Sequence, residues 1–353
     1  MNAKPIVLLT GATGFVGAHV LSQLLESKYA VLAPVRSESK ATFLKAKYPN
    51  QVSSGALTFM TIPDLSAPGA LDAVLQESNV QYILHIASPF FVSTQDPIKE
   101  LVEPAVAATK NVLSSAIGSG RALKKVVILS SFASVQHAFD EPRAGYVYTE
   151  QDWNPVTLSQ ASTNGILGYM ASKTFAEKAG WEAFESAKER KEILWDLVTF
   201  CPPMVYGPPL HEIDVAKGIG GLNTSLQILL GSITKPGKVA SPPLPHWVDV
   251  RDVALAHVKA LAVPAGRSER ILLCAGPAYY EDGLTWLRKK GVEGLGDEGD
   301  KCDAETWFSI DVSNAEKMLE IEWRDFETCV EDVWKWAETV RLVGQWRVAS
   351  YPL

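Results

Sequence analysis

The stretch from Ile6 to Gly17 reads IVLLTGATGFVG and decides how the rest of the chain is interpreted. Its first five residues are apolar or β-branched and predict a buried strand, and Gly11, Gly14 and Gly17 follow in the spacing Gly-x-x-Gly-x-x-Gly. Such glycines allow a tight turn, a close approach of the backbone to a pyrophosphate, and close packing of a helix on the strand. Free amides at the start of that helix favour phosphate groups. We therefore expect a dinucleotide site at this turn.

Alternation of strands and helices continues from this turn to about residue 200. The predicted strands are Ile6–Thr10, Ala30–Val35, Leu57–Ile62, Tyr82–Ala87, Lys125–Ser131 and Glu192–Phe200. The predicted helices between them include Phe15–Ser27, Pro68–Glu77, Pro97–Gly118 and Gly165–Lys191. Near-continuous apolar strands that alternate with helices indicate a parallel sheet covered on both faces. The pattern predicts an α/β fold, a doubly wound Rossmann-type parallel sheet with helices on both faces.

The composition of the chain changes after residue 200. CPPMVYGPPL at 201–210 and SPPLPH at 241–246 are rich in proline and are predicted to be loops. Helical periodicity returns over Val248–Ala262, and Arg270–Ala275 reads as a short strand. The last predicted helix is Phe326–Val340, with Trp334 on its apolar stripe.

The length of the chain and the change in its composition after residue 200 together predict two domains. A chain of 353 residues favours about two domains. We expect a nucleotide-binding domain of residues 1–205 and 247–262. The remaining residues, 206–246 and 263–353, would then form a smaller, discontinuous α+β lobe that binds substrate.

Composition excludes several classes of protein. The chain has 33 Lys and Arg against 40 Asp and Glu, a net charge of −7, and is 47% hydrophobic. This is the balance of a globular protein rather than a disordered one. Without a basic run, neither nucleic acid nor an anionic membrane surface is an expected partner. We expect a small-molecule substrate and a monomer or homodimer.

The cysteines and the N-terminus favour the cytoplasm. The four cysteines are widely spaced, which predicts reduced thiols, and the six histidines show no metal-ligand spacing. The first apolar stretch is shorter than the core of a signal peptide, and no segment reaches the ~20 apolar residues of a membrane span. No metal is expected.

The residues after the next strands favour NADP(H). NAD sites usually carry Asp or Glu after the second strand, whereas this chain has Arg36, with Lys40 one helical turn later. Two cations suit a 2′-phosphate. Asp64 follows the third strand and either accepts a hydrogen bond from the adenine amino group or caps the next helix. The small Ala87 and Ser88 follow the fourth strand and would let the cofactor lie close, whereas His85 is predicted to be a packed core histidine.

A second set of residues points to acid–base chemistry. Tyr169 and Lys173 are four residues apart on a predicted helix and therefore share one face. A nearby ammonium lowers the pKa of a phenol and makes it a usable proton carrier. Ser131 closes the fifth strand, so its hydroxyl is expected at the carboxyl edge of the sheet, where α/β folds bind ligands.

These motifs carry a family resemblance. TGATGFVG at 10–17, Arg36, LSSFASV at 129–135 and YMASK at 169–173 occur in this order. The chain resembles the short-chain dehydrogenase/reductase superfamily of the extended type. Within it, the chain is similar to the branch of plant dihydroflavonol reductases and fungal methylglyoxal and aldehyde reductases. HIASPFF at 85–91, LNTS at 222–225 and WVDVRDVALAH at 247–257 also fit that branch.

The resemblance implies a reaction and a set of site residues. It implies transfer of a hydride from NADPH to an aldehyde or ketone, with Tyr169 as the proton donor, Ser131 as a hydrogen-bond donor to the same oxygen, and Lys173 as the partner of the tyrosine. The implied cofactor contacts are Gly11, Thr13, Gly14, Phe15, Val16, Gly17, Arg36, Lys40, Asp64, Leu65, Ala87, Ser88, Tyr169, Lys173, Val205 and Ser225. The implied substrate contacts are Phe90, Gln136 and Met204. Several of these positions are aromatic in the fungal reductases, whereas Gln136 and Met204 are not, so the substrate is left open.

Three alternative functions remain at this stage. One is a sugar-nucleotide-type epimerase or dehydratase on the same fold, although dehydratases of that type place an Asp-Glu pair after the catalytic hydroxyl and Ser131 is followed by Phe132, Ala133 and Ser134. A second is a hydroxysteroid-type dehydrogenase, which the apolar pocket segments permit. A third is a non-catalytic NADP-binding regulator, against which the retained Tyr169 and Lys173 argue.

Overall fold

The computed structural model describes residues 4–88, 93–119, 122–137, 139, 142–239, 242–297, 299 and 307–340. The strands are β1 Ile6–Thr10, β2 Ala30–Val35, β3 Leu57–Thr61, β4 Val80–His85, β5 Lys125–Leu129, β6 Val147–Tyr148, β7 Asp196–Cys201, β8 Met204–Tyr206, β9 His246–Asp249, β10 Glu269–Leu272, β11 Gly276–Pro277 and β12 Ser309–Ile310. The helices are α1 Phe15–Glu26, α2 Glu38–Lys47, α3 Pro49–Ser53, α4 Asp72–Glu77, α5 Glu103–Gly118, α6 Leu158–Ala161, α7 Gly165–Glu189, α8 Thr224–Thr234, α9 Val250–Ala260, α10 Tyr280–Lys289, α11 Ser313–Leu319 and α12 Phe326–Thr339.

A seven-stranded parallel sheet forms the centre of the molecule. Its strand order is β10-β7-β5-β4-β1-β2-β3, and every neighbouring pair is parallel. The chain order reverses where β1 lies between β2 and β4, so the connections leave in opposite directions there. In doubly wound sheets ligands bind outside the carboxyl ends of the strands at such a point. The predicted fold class is confirmed.

Apolar side chains cover both faces of this sheet. On one face, Leu21 and Leu24 of α1 pack with Val253 of α9. On the opposite face, Leu113 of α5 packs with Phe184 of α7. Because both faces are buried, the strands read as near-continuous apolar runs rather than alternating ones.

A separate apolar core joins the later segments of the chain. Its members come from α8, α10 and α12 and include Leu229, Leu284, Val333 and Trp334. Trp334 is 3% exposed, so its position on the apolar stripe is a core position, as predicted. Within the described ranges, no helix combines the length and the apolar character needed to cross a membrane.

The sequence missed a small second sheet. It consists of β8, β9 and β11, with β8 and β9 parallel. The proline-rich segment at 201–210 was predicted to be a loop but contains β8, and residues 248–249 were predicted to be helical but belong to β9. Strands β8 and β9 are three and four residues long, which is too short to show an alternating apolar pattern. Only pairing between distant segments of the chain defines them.

Two further corrections concern boundaries. Pro97–Gly118 is not one α-helix, since a π-helical turn over Ile98–Val102 precedes α5. The strand at 269–272 was assigned to the smaller lobe but pairs with β7 in the large sheet, where Glu269 lies opposite Val198. Residues Ala315 and Leu319 of α11 pack in the same core as that sheet.

Candidate active site

A cleft of about 1100 Å³ opens at the carboxyl edge of the large sheet, beside β1 and β4. Its lining contains every cofactor, catalytic and substrate position expected from the sequence, with one exception. Those residues are Gly11, Thr13, Gly14, Phe15, Val16, Gly17, Arg36, Lys40, Asp64, Leu65, Ala87, Ser88, Ser131, Gln136, Tyr169, Lys173, Met204, Val205 and Ser225. The exception is Phe90, which lies outside the described residues.

The glycine turn can only be built from glycine at two of its positions. Gly11 has a φ of 77°, and a Cβ there would lie 2.8 Å from the amide nitrogen of Ala87. A Cβ on Gly17 would lie 2.0 Å from the carbonyl oxygen of Gly11. Helix α1 starts directly after Gly14, and no side chain caps it. The turn therefore presents unpaired amides to the cleft, which fits the pyrophosphate of a dinucleotide.

Two exposed cations stand at the end of β2. Arg36 follows the strand directly and Lys40 lies in the first turn of α2, and neither makes an ion pair with any other described residue. Ser37 precedes α2, but its hydroxyl does not cap the helix. Both cations and the N-terminal end of α2 are thus available to one anionic group at this end of the cleft.

Asp64 is held by its own loop. Its carboxylate accepts hydrogen bonds from the backbone nitrogen of Ser66 at 2.8 Å and from the Ser66 hydroxyl at 2.6 Å, which lower the pKa of Asp64. The next helix, α4, begins only at Asp72. Of the two roles expected for Asp64, helix capping is therefore wrong.

The floor of the cleft is a buried hydrogen-bond cluster. The Thr10 hydroxyl lies 2.9 Å from Nδ1 of His85 and accepts from the backbone nitrogens of Ile86 and Ala87. His85 is 3% exposed, and burial lowers its pKa to about 4. It is a neutral core histidine, as predicted, and it ties the end of β4 to the end of β1.

The start of a short 3-10 turn sets the position of Ser131, and the start of α7 sets the position of Tyr169. Ser131 caps a 3-10 turn over Phe132–Ser134, and its Oγ accepts from the backbone nitrogen of Ala133 at 3.1 Å. Asn164 caps α7 by accepting from the backbone nitrogen of Leu167 at 2.9 Å, which sets where Tyr169 falls on that helix. Both residues line the cleft, and the side chain of Ser131 acts on the pKa of Tyr169.

Lys173 lies one turn further along α7. Its Nζ is 6.0 Å from the centre of the Tyr169 ring and 3.5 Å from the carbonyl oxygen of Leu129. Lys173 is 8% exposed. The three residues expected to act together therefore do meet at the end of β5.

The electrostatics of this group differ from the expectation. Lys173 was expected to lower the pKa of Tyr169, but burial raises the pKa of Tyr169 and only the hydrogen bond from Ser131 opposes it. Burial also lowers the pKa of Lys173 to about 8, against the opposing effects of Cys201 and Glu177. The pKa of Tyr169 moves opposite to the expected direction because removal of the phenol from water dominates, and Lys173 is not among the groups that act on it. Tyr169 keeps its proton at neutral pH, which suits a proton donor.

The cleft has further lining residues, most of them apolar. Besides Gln136 and Met204, the residues that line it include Ile166, Met170, Pro203, Asn223 and Leu244, none of which was named from the sequence. Asn223 donates from Nδ2 to the Ser225 hydroxyl at 2.7 Å, while its buried Oδ1 has no hydrogen-bond partner among the described residues. The LNTS segment was the available signal for Asn223. Among the described residues, no three His, Cys, Asp or Glu side chains are grouped so that they could hold a metal ion.

Known proteins resemble this chain over most of its length. Residues 7–275 match the model of the NAD dependent epimerase/dehydratase family. An uncharacterized oxidoreductase of Schizosaccharomyces pombe is 40% identical over 348 residues, which is 96% of this chain and 99% of that protein.

Two solved structures have the same fold over nearly the whole chain. The crystal structure of Gre2 from Candida albicans in complex with NADPH is 34% identical, with a TM-score of 0.85, and covers 95% of this chain and 99% of that one. The yeast methylglyoxal/isovaleraldehyde reductase Gre2 complexed with NADPH is 27% identical, with a TM-score of 0.85 and the same coverage.

Proposed function

This chain belongs to the NAD dependent epimerase/dehydratase family, the extended type of the short-chain dehydrogenase/reductases, and from that premise we propose that it is an NADPH-dependent carbonyl reductase acting on an aldehyde or ketone. The observation that carries the proposal is the meeting of Ser131, Tyr169 and Lys173 at the end of β5, in the same cleft as the glycine turn. That arrangement brings a hydroxyl donor, a protonated phenol and an ammonium to the place where a bound dinucleotide would present its reactive ring.

The residues present fit NADP(H). The turn at Gly11 and Gly17 leaves no room for a side chain between the loop and α1, and that close approach is what a pyrophosphate needs. Arg36 and Lys40 suit the 2′-phosphate that distinguishes NADPH from NADH. The NADPH bound in both related crystal structures supports the same cofactor here.

The roles of the catalytic residues follow from their surroundings. NADPH, when bound, supplies the hydride for the carbonyl carbon. Tyr169 donates its phenolic proton to the carbonyl oxygen, since its raised pKa keeps the proton in place until the oxygen becomes basic. The Ser131 hydroxyl accepts from Ala133, and its single hydrogen would turn from Tyr169 to the same carbonyl oxygen when substrate binds. Lys173 contributes a buried positive charge that stabilises the phenolate left after proton transfer.

The apolar residues of the cleft lining support one kind of substrate. Ile166, Met170, Met204 and Leu244 offer apolar surface, and Gln136 offers an amide. No carboxylate occurs among Phe132, Ala133 and Ser134 after Ser131, which favours reduction over the dehydratase chemistry of the same fold. A carbonyl compound with an apolar body is the proposed substrate class, and Gln136 and Met204 are its proposed contacts.

The proposal extends to domain division and location. We propose a nucleotide-binding unit of residues 1–205 and 247–262, to which β10 and α11 contribute, and a substrate lobe from 206–246 and the remaining C-terminal segments. The described cysteines, Cys201, Cys274 and Cys329, are buried free thiols, which suits a reducing cytoplasm.

The test is NADPH oxidation with a panel of aldehydes and ketones. Wild-type protein is expected to reduce part of the panel, and to use NADPH in preference to NADH. Tyr169→Phe removes the transferable proton while keeping the ring, so its kcat is expected to fall by about 10²–10⁴-fold. Its affinity for NADPH is expected to stay within a few-fold. Tyr82→Phe, a half-buried tyrosine outside the cleft lining, is the matched control and should keep wild-type turnover. Unchanged turnover in Tyr169→Phe would refute the mechanism.

A further inference from the structure

A buried carboxylate continues the catalytic face of α7. Tyr169, Lys173 and Glu177 are spaced four residues apart, so they follow one another along one side of the helix. Glu177 is 2% exposed and lies below the cleft rather than in its lining. The reaction proposed above does not use it, and a charge buried this deeply needs compensation.

Hydroxyl groups and one guanidinium surround the Glu177 carboxylate. Its Oε2 accepts from the hydroxyls of Ser130 and Ser134, each at 2.6 Å. Its Oε1 accepts from the Thr199 hydroxyl and from Nε of Arg270, each at 2.8 Å. With this many donors the charged form is favoured, and the pKa of Glu177 is lowered although burial alone would raise it.

Two of these donors enclose Ser131. Ser130 immediately precedes it, and Ser134 ends the 3-10 turn that Ser131 caps. The Ser134 hydroxyl also lies 2.8 Å from the carbonyl oxygen of Ser131. Glu177 is therefore bonded to both sides of the segment that presents the Ser131 hydroxyl to the cleft.

Arg270 anchors the cluster to the edge of the sheet. It is 8% exposed, and its guanidinium lies 3.7 Å from the centre of the Trp153 ring. It donates to the carbonyl oxygens of Glu150 at 3.0 Å and of Ser134 at 3.2 Å, and to that of Asp152. An arginine held in this way on several sides fixes the carboxylate that it pairs with.

The charge of Glu177 also acts on Lys173. The titratable groups that face Lys173 are Tyr169 and Glu177 on α7, His85 on β4 and Cys201 on β7. Burial raises the pKa of Cys201 to about 12 and lowers that of His85 to about 4, so both are neutral near pH 7. The phenol of Tyr169 is neutral as well. Glu177 is thus the anion that acts on the Lys173 ammonium, while the ionisable residues of the packed helix α5, such as Glu103 and Lys110, are exposed.

We propose that Glu177 is a positioning residue of this site: with Arg270 it holds the Ser130–Ser134 segment that presents Ser131, and its negative charge keeps Lys173 protonated at neutral pH. This inference rests on the proposed reductase function. It assigns to a buried ion pair on α7 and β10 a role in setting the pH range over which the enzyme reduces carbonyl compounds.

The pH profile of kcat/KM for NADPH-dependent reduction tests the charge. Glu177→Gln keeps the size and the acceptor oxygen but removes the charge, so the fall in activity on the basic side should move to lower pH by about one unit. For a lysine with a pKa of about 8, that shift lowers the protonated fraction at pH 8 by about fivefold. Glu177→Asp retains the charge and should restore most of the profile. Glu182→Gln, an exposed glutamate on the same helix, is the matched control and should change nothing.

A second variant covers the case in which Glu177→Gln does not fold because Arg270 is left unpaired. The double variant Glu177→Gln/Arg270→Met removes both buried charges, and Arg270 is not among the groups that shift the pKa of Lys173. Its fall in kcat/KM on the basic side of the pH profile should move to lower pH by the same amount. The proposal would be overturned if either variant folds, keeps the wild-type kcat and loses activity at the same basic pH as the wild type.

A titration independent of turnover separates this inference from the proposed function. Protein labelled with ¹³C at lysine Cε gives an NMR signal for Lys173, which the Lys173→Met variant identifies by its loss. The Lys173 titration should move to lower pH in Glu177→Gln but not in Glu182→Gln. If wild-type protein reduces no carbonyl compound, the proposed function fails while this shift still decides the role of Glu177. An unmoved titration would refute the inference even in an active reductase.

Discussion

Replacement of Gly17 by alanine tests whether the glycine turn is built for a dinucleotide. A Cβ at this position would stand 2.0 Å from the carbonyl oxygen of Gly11 and 2.6 Å from its carbonyl carbon. Real Cβ atoms essentially never approach another heavy atom closer than 3.0 Å, so α1 and the loop must separate by about 1 Å. Neither group can rotate away, because both clashing atoms belong to the backbone and the Gly11 carbonyl already accepts from Gly14.

The substitution should lower both the stability of the protein and its affinity for NADPH. Overpacking of a close contact costs about 1–3 kcal/mol of unfolding free energy. A displacement of about 1 Å in groups that position a ligand costs on the order of 10²-fold, and the first amides of α1 are such groups. We therefore expect NADPH to bind Gly17→Ala about 10²-fold more weakly than the wild type, measured by fluorescence titration.

Gly231→Ala is the matched control. Gly231 lies within α8, and nothing stands within 4 Å of the Cβ that alanine would add. The substitution should stabilise the protein by about 0.5–1 kcal/mol through helix propensity and leave NADPH affinity unchanged. If Gly17→Ala binds NADPH as the wild type does while remaining folded, the pyrophosphate does not lie against this turn and the reasoning fails.

Three further predictions address charge, pH and packing. Arg36→Asp places a carboxylate where a 2′-phosphate would lie, so the ratio of kcat/KM for NADPH over NADH should fall by at least about 10-fold; an unchanged ratio would remove Arg36 from cofactor selection. The kcat/KM for reduction should fall as pH rises through about 8, because Lys173 loses its proton there while the raised pKa of Tyr169 keeps the phenol protonated; a profile flat to pH 9 would contradict this. Leu229→Ala, fully buried in the core formed by α8, α10 and α12, should lose about 2–5 kcal/mol in urea unfolding, whereas the half-exposed Leu158→Ala should change it by less than about 0.5 kcal/mol.

Local spacing accounts for what could be predicted. The strand and glycine turn at 6–17 were predictable because their meaning depends on neighbours in sequence: apolar residues before the turn, glycines within it and a helix after it. Ser131, Tyr169 and Lys173 were predictable for a related reason. One ends a strand of a parallel sheet and the other two share a helix face, and the family resemblance joined all three into one site at the carboxyl edge.

Elements that depend on distant partners were not predictable in the same way. Strand β8 is three residues between prolines and exists because Val205 pairs with Val248, more than forty positions later in the chain. The pairing of the strand at 269–272 with β7 was not predictable, because this alignment cannot be read from its own residues. Short strands contain too few residues to show the alternating apolar pattern of a strand. The packing of the whole sheet decides which strand they pair with.

The sequence by itself determined the fold class, the position of the cleft and the residue types that meet there, since each follows from short-range pattern and strand polarity. Only the tertiary structure decided the electrostatics. Burial raises the pKa of Tyr169, and Glu177 is bonded to Ser130 after β5, to Thr199 of β7 and to Arg270 of β10, which compensates its charge. The physical reason is that desolvation and ion pairing depend on how much water is excluded and which distant groups replace it, and the order of residues along the chain contains neither quantity.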